Sequence, residues 1–403
     1  MIREVGAATG QVLDHDVHGI VGLRLVDATA ADVAVVTRQL GPLHGQLSRP
    51  PDIVVRFVDS LAIGQLEWIE FGRTGVTDEG FVVFEYGRRS AGARIGFDPA
   101  GGCLELVCER GLRRVPLLIG LLTLSALRHG YVPLHASAFV YQGTGVLVTG
   151  WAKGGKTEAL LAFAARGAEY IGDEWILLSP DGRSMHGVPE HIRLQDWHFR
   201  QVPATRAHLR TREVAKFAAI RALDRLHGAW AAGPLGRVPP IKALGAALPV
   251  LRRQLNVQLN PLAVFGEGPH AFSASLDRVF FMLSDVQPTV RVAPANPDEI
   301  TQRMTASIAY EHLPLSGTCL AYQFAYPGRL FPAFKVGRER IAALLRGALA
   351  GKESYVVRHP YPCDLGELFE AMAPFCGMRE RSHTKASDEQ LTGAVLGAQT
   401  DDT

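Results

Sequence analysis

Cysteine is scarce in this chain, long apolar runs are missing, and neither sign of charge dominates. The 403 residues contain five cysteines, an odd number without Cys-x-x-Cys spacing, which argues against a disulfide framework or zinc site and favours a reducing, cytoplasmic setting. Residues 115–127 form the most apolar run, which is too short to span a bilayer and predicts a buried helix. The net charge is +2 and no signal-peptide pattern follows Met1, so nothing demands a membrane or nucleic acid as partner.

One glycine-rich motif stands out against this background. Residues 150–157 read Gly-Trp-Ala-Lys-Gly-Gly-Lys-Thr, which matches the G-x-x-x-x-G-K-[ST] pattern of phosphate-binding loops. A strand-like run precedes the motif and a helix-like run follows it, so backbone N–H groups and a helix N-terminus can wrap a triphosphate. Lys156 is expected to reach the outer phosphates from solvent-filled space, and the Thr157 hydroxyl to hold Mg²⁺. The predicted nucleotide-binding residues are Gly150, Trp151, Ala152, Lys153, Gly154, Gly155, Lys156, Thr157 and Glu158.

An acidic pair, Asp173-Glu174, follows the predicted helix at the end of a strand-like stretch, residues 169–172. On the strand beside the phosphate loop, one carboxylate can hold the metal and a second can face the nucleophile. Neighbouring side chains of a strand point to opposite sides, so both reach one site only if the strand ends or bulges there. A surface turn is the simpler alternative for this pair.

Residues 134–178 as a whole resemble the catalytic domain of HPr kinase/phosphorylase and of HPr-kinase-like serine kinases. That family uses ATP or another phosphate donor to phosphorylate a protein serine, and its fold resembles phosphoenolpyruvate carboxykinase. It often forms homo-oligomers. The features that carry the resemblance are His135 before a short hairpin, the run Gly143–Leu147, the segment Gly155–Glu158, Arg166-Gly167 and the acidic pair.

The resemblance implies a role for each matching residue. Lys156 and Thr157 match the donor-phosphate and metal residues, and His135 matches a phosphate-facing catalytic residue. Asp173 matches the first family aspartate, a metal ligand, and Glu174 stands where the family has its second aspartate, the general base. Glutamate in place of aspartate at position 174 lengthens the arm and could favour a water nucleophile instead. The family's downstream Leu-Glu-x-Arg-Gly-Leu-Gly segment is missing, which argues against a bifunctional kinase/phosphorylase.

The fold class predicted from these patterns is α/β with α+β elements, and the resemblance implies a phosphate-loop core of the HPr kinase/phosphoenolpyruvate carboxykinase type. Residues 1–111 read as a β-rich N-terminal lobe and residues 112–310 as the kinase core, including a basic helical insert at 201–260. Residues 311–380 read as a C-terminal α/β extension and 381–403 as a disordered tail. The insert is either a solvated amphipathic face, a surface for an acidic acceptor, or the source of a phosphate-contacting arginine. Its sparse aromatics disfavour nucleic acid.

The chain is therefore expected to be an ATP- and Mg²⁺-dependent kinase that phosphorylates a hydroxyl, namely Ser or Thr of a protein or peptide. His135, Lys156 and Glu174 are the expected catalytic residues, and Thr157 and Asp173 the expected metal residues. The alternative is an ATPase or nucleotide-dependent switch in which Glu174 activates water. A third reading is a module that binds nucleotide without turnover.

Overall fold

A computed structural model describes residues 10–70, 74–77, 80–85, 91–96, 102–233, 238–266, 271–328 and 337–377. It confirms the α/β class, because helices pack on two large sheets of mixed strand direction. The predicted disordered tail, residues 381–403, lies outside the described residues. Among the described helices, none combines the length and the apolar character that a bilayer crossing needs.

The first sheet contains eight strands in the order β1-β2-β3-β8-β7-β6-β5-β4. Its strands are β1 (Gln11–Val17), β2 (Val21–Ala28), β3 (Ile53–Val58), β4 (Glu67–Glu70), β5 (Thr74–Thr77), β6 (Gly80–Glu85), β7 (Ala91–Gly96) and β8 (Leu104–Glu109). Strands β2, β3 and β8 run parallel to one another, and the remaining pairs are antiparallel. Helix α1 (Ala30–Leu40) begins at a capping box formed by Thr29 and Asp32 and packs its buried Val35, Val36 and Leu40 into the same core.

The second sheet has nine strands in the order β16-β13-β12-β9-β10-β17-β19-β18, with β11 also paired to β9. They are β9 (Val132–Tyr141), β10 (Thr144–Gly150), β11 (Glu169–Gly172), β12 (Trp175–Leu178), β13 (Ser184–Val188), β16 (Ser273–Ser275), β17 (Arg278–Ser284), β18 (Arg291–Pro294) and β19 (Glu353–His359). A separate two-stranded sheet pairs β14 (Ile192–Gln195) with β15 (Asn256–Leu259).

Strand β9 lies at the centre of the second sheet and corrects one expectation. One edge of β9 pairs with β10, while its other edge pairs with β11 near Phe139 and with β12 near His135. The acidic pair is therefore not on the strand next to β10, because β9 lies between them. The strand is interrupted between β11 and β12, opposite the middle of β9. Because β10 pairs with the other edge of β9, this interruption lies near the end of β10.

Helices cover both faces of the second sheet. The described helices after α1 are α2 (Leu118–Arg128), α3 (Lys156–Ala164), α4 (His198–Gln201), α5 (Thr211–Ala231), α6 (Pro239–Arg252), α7 (Pro261–Phe265), α8 (Pro297–Glu311), α9 (Leu313–Ala325), α10 (Arg338–Leu349) and α11 (Leu365–Met372). Side chains of β10 alternate, so that Val146 and Val148 pack with α3 and α11 whereas Leu147 packs with α8 and α10. The apolar run at 115–127 forms the buried helix α2 as predicted, and its leucines share a core with the first sheet and α9.

Contacts at the C-terminal end of α1 join the first sheet to the segment that follows β13. The backbone N–H of His191 donates to the Arg38 carbonyl at 3.2 Å. Gly41 approaches Pro189 so closely that a side-chain carbon there would lie 2.3 Å from the Pro189 carbonyl oxygen. A second joint ties α1 to the chain after β8, since the Gln39 amide exchanges two hydrogen bonds with the Val115 backbone.

Candidate active site

The loop Gly150–Thr157 connects the end of β10 to the start of α3. Gly155 occupies the N-cap of α3 with φ of 100°, and a side-chain carbon there would lie 2.5 Å from His359 Nε2, so glycine is required on both counts. No side chain caps α3, which leaves its first-turn N–H groups available to an anion. Buried His359 braces the loop by donating from Nε2 to the Gly154 carbonyl at 2.8 Å.

Lys156 is not in solvent-filled space, which corrects the sequence-based expectation. Its side chain is buried, and Nζ donates to the carbonyl of Trp151 at 2.9 Å. Burial lowers the pKa of Lys156, and the nearby carboxylates of Glu174 and Asp173 oppose that shift. The ammonium group folds back onto a loop carbonyl because that contact replaces part of the lost hydration.

Asp173 is buried between two hydroxyl groups. Thr157 Oγ1 donates to one carboxylate oxygen at 2.9 Å, and Ser137 Oγ on β9 donates to the other. Burial, together with the charge of Glu174, raises the pKa of Asp173 to about 6. The predicted metal residues Thr157 and Asp173 therefore lie side by side. Ser137 is an additional contact that the sequence reasoning did not single out, although it lies two residues after His135.

Glu174 adopts a left-handed backbone conformation with φ of 69°. Strand β11 ends at Gly172, its pairing with β9 shifts between Tyr170 and Gly172, and β12 begins at Trp175. The strand therefore ends at the acidic pair, which is what allows two adjacent carboxylates to reach one site. The side chains of Asp173 and Glu174 consequently line the same cavity.

His135 lies between two carboxylates. Its Nε2 is 2.5 Å from Glu174 Oε2, and its Nδ1 is 2.8 Å from Oε1 of Glu311, the last residue of α8. Burial disfavours the charged imidazolium, but the bonds to Glu174 and Glu311 outweigh it and raise the pKa of His135. Burial likewise opposes ionisation of Glu174, yet the His135 contact prevails and lowers the pKa of that carboxyl. The arrangement is an imidazole ring with a carboxyl group at each nitrogen, and this geometry favours the protonated ring.

A cavity of about 240 Å³ lies over the loop and collects most of the predicted site residues. The predicted residues in its walls are His135, Ala152, Lys153, Gly154, Gly155, Lys156, Thr157, Glu158, Asp173 and Glu174. Gly150 and Trp151 do not line it, and the half-exposed Trp151 ring instead packs against Tyr310 with centroids 4.8 Å apart.

Four residues in the walls of this cavity were not predicted: Arg193, Gln195, His198 and Tyr361. Of these, His198 has a defined partner, because its Nε2 is 3.1 Å from the buried carboxylate of Glu158. Burial opposes ionisation of Glu158, but His198 outweighs it and lowers the pKa of the carboxyl. Glu158 thus contributes to the wall as one half of a buried pair.

The donor atoms at Asp173 and Thr157 fit a magnesium ion that is shared with a nucleotide. Among the described residues, no group of three or more His, Cys, Asp or Glu side chains could form a protein-only metal site. Magnesium in phosphoryl-transfer sites is held by one or two carboxylates together with substrate phosphates, so a carboxylate beside a hydroxyl is a sufficient protein contribution. The buried carboxylate of Asp173, whose pKa is raised by burial, is a favourable position for a cation.

A larger cavity of about 720 Å³ adjoins the first one and shares Glu174 and Arg193 with it. The C-terminal end of α1, the segment 113–117 and the start of α2 form one side of it, and the segment 190–193 with the junction of α8 and α9 forms the other. No basic residue of the part of 201–260 that the structure describes lines either cavity. Within that region Arg221 pairs with the buried Asp196 at 3.1 Å, and Arg252 pairs with Asp224 at 2.5 Å on an exposed face of the helices.

One cavity is lined by His135, Lys156, Thr157, Asp173 and Glu174 together. Residues from two strands and two helices contribute to its walls. No protein-family model matches this chain, and no curated protein matches it. The likeness to HPr-kinase-like proteins therefore rests on residues 134–178 alone.

Proposed function

We propose that this chain is an ATP- and Mg²⁺-dependent kinase that transfers the γ-phosphate to a hydroxyl, namely Ser or Thr of a protein or peptide. The core would then be a phosphate-loop fold of the HPr kinase and phosphoenolpyruvate carboxykinase type. The nucleotide would occupy the smaller cavity and the acceptor the larger one.

The position of Glu174 carries the proposal. Glu174 lines both cavities, and so does Arg193. A carboxylate at the junction can receive a hydroxyl from the larger cavity while Lys156 and the N–H groups of α3 hold phosphates in the smaller one. Catalysis would come mainly from this positioning and from charge stabilisation.

Each residue of the site has a role in this scheme. Mg²⁺, held by Thr157 and Asp173, would supply positive charge to the phosphate oxygens when bound. The acceptor hydroxyl oxygen forms a bond to the γ-phosphorus as the bond to the β-phosphate oxygen breaks, and the hydroxyl proton passes to Glu174. His135 fixes the orientation of that carboxylate. Because the transition state of phosphoryl transfer is loose, a base of lowered pKa suffices to orient the hydroxyl.

An ATPase or nucleotide-dependent switch remains the second candidate, since Glu174 could activate water in the same position. Water needs only a small cavity, whereas Glu174 also borders a cavity of about 720 Å³. That extra volume favours a larger acceptor. Arg193 would contact a group passing between the cavities, because it lines both, whereas none of the described arginines of the basic insert lines either.

The test is transfer of label from γ-labelled ATP to lysate protein or to serine peptides. The kinase proposal expects acid-stable, base-labile phosphoserine, which should be absent with Lys156→Met. Release of free phosphate at a rate unchanged by any acceptor would favour the ATPase and count against the proposal.

A further inference from the structure

Three exposed arginines line the larger cavity on the side away from the phosphate loop. Arg38 lies near the C-terminal end of α1, and Arg113 and Arg114 lie in the segment between β8 and α2. With Arg193 at the junction, four guanidinium groups border one cleft. None of them belongs to the basic insert 201–260, for which a surface for an acidic acceptor was one of the alternatives.

The segments that carry these arginines are held in place. The two hydrogen bonds between Gln39 and Val115 tie the end of α1 to the Arg113-Arg114 segment. The bond from the His191 N–H to the Arg38 carbonyl ties the same helix to the opposite wall. A cluster fixed at both ends needs little reorganisation to bind a ligand, which preserves affinity.

The cleft walls contain four guanidinium groups and three carboxyl groups. Glu174 and Glu311 already contact His135 on either side of its ring. Glu190 is the third carboxyl group in the walls, and burial raises its pKa well above the ordinary value although the charges of Arg114 and Arg193 oppose that shift. The cleft is therefore cationic on balance, and anions are the ligands that such a surface favours.

We propose that this cleft binds an anionic segment of the acceptor, with carboxylate or phosphate groups flanking the hydroxyl that is presented to Glu174. The inference rests on the proposed kinase function and adds the chemical class of its substrate. The walls also contain the apolar side chains of Leu117, Ile119 and Leu315. Mixed apolar and cationic walls suit a peptide better than a free inorganic anion, and guanidinium groups recognise both carboxylate and phosphate.

The test is binding of fluorescent peptides in the absence of nucleotide, measured by anisotropy with the full chain. Three peptides share one central serine and differ only in flanking residues, which are Asp and Glu, phosphoserine, or the neutral Asn and Gln. We expect the anionic peptides to bind at least about tenfold more tightly than the neutral one, with affinity falling as salt rises. The acidic and phosphorylated arms show which anion is preferred.

Arg113→Glu/Arg114→Glu should weaken anionic-peptide binding by about tenfold or more. Arg212→Glu/Arg225→Glu on α5 makes the same change in net charge outside the cleft, so it should change binding by no more than about twofold. Thermal unfolding checks that both variants fold, and Arg114→Glu alone provides a milder version. Equal binding of the neutral peptide, equal loss in both double variants, or stronger binding of a short oligonucleotide than of the acidic peptide would overturn the proposal.

The two proposals fail in different ways. Arginine-dependent binding of anionic peptides without label transfer would refute the kinase function but support the assignment of the cleft as an anion-binding site. Label transfer with the same KM for anionic and neutral peptides would refute the assignment of the cleft but support the kinase function.

Discussion

Acidification should weaken the binding of magnesium nucleotide, because the metal needs an ionised Asp173. With a pKa of about 6, this carboxyl is about nine-tenths ionised near pH 7 and about one-tenth ionised near pH 5. The loss of affinity expected from protonation of Asp173 alone is about tenfold, or ~1.4 kcal/mol. At its ordinary pKa of 3.8 the carboxyl would stay ionised over this range and would contribute hardly any change in affinity. The raised pKa thus predicts loss of binding as pH falls through the folded-state value.

Calorimetric titration with Mg²⁺ and a non-hydrolysable ATP analogue measures this dependence. Repeating the titration near pH 5 in buffers of different ionisation enthalpy counts the protons released, and the wild type should release about one more than Asp173→Asn. The terminal phosphate of the nucleotide also titrates near pH 6, so Asp173→Asn is the control that retains the nucleotide's own contribution. A flat profile in the wild type, or the same profile in Asp173→Asn, would refute the reasoning.

Two substitutions test how the loop binds phosphate. Lys156→Met keeps most of the aliphatic stem but removes the ammonium, so the protein should fold and phosphoryl transfer should drop about 100-fold or more; near-normal transfer would contradict the assignment. Gly155→Ala would place a residue with a side chain at a φ of 100° and its Cβ atom 2.5 Å from His359 Nε2. We therefore expect the folded protein to be destabilised by about 1–3 kcal/mol and nucleotide binding to be weakened. Gly167→Ala has a φ of 84° but open space around it, and it should lose stability while nucleotide affinity in the folded protein stays near wild type.

Local patterns in the sequence were sufficient for many elements of the fold. The local residue pattern predicts a helix at Ala30–Leu40 and an amphipathic helix at Arg338–Leu349, and the structure has both with these bounds. Helix α9 was missed because Pro314 and Gly317 weaken its pattern and His312 offers no side-chain cap. Strand β1 was also missed, since alternating polar residues leave it only half buried.

The site was predictable only in part. The loop motif and the acidic pair indicate Lys156, Thr157, Asp173 and Glu174 because these residues lie close together in the chain. The contact of His135 with Glu311 joins positions 176 residues apart, and no local pattern indicates such a pairing. The buried setting of Lys156 was mispredicted because sequence spacing gives no information on what covers a side chain.

The arginines of the large cleft illustrate the same limit. Charge density in the sequence drew attention to residues 201–260, where basic residues are numerous. The cleft instead takes its charge from Arg38, Arg113, Arg114 and Arg193, which are scattered along the chain. Only the packing of α1 and α2 against the segment after β13 brings them together.

Phosphoryl transfer by Glu174→Gln is the measurement that bears most directly on the central claim, that this carboxylate receives the acceptor hydroxyl beside a loop-bound triphosphate. Labelled ATP and an anionic serine peptide are supplied to the wild type and the variant, and nucleotide affinity is measured in parallel. We predict nucleotide affinity within about threefold of wild type and peptide phosphorylation reduced about 100-fold or more. Peptide phosphorylation at a near-normal rate in the variant would contradict the account.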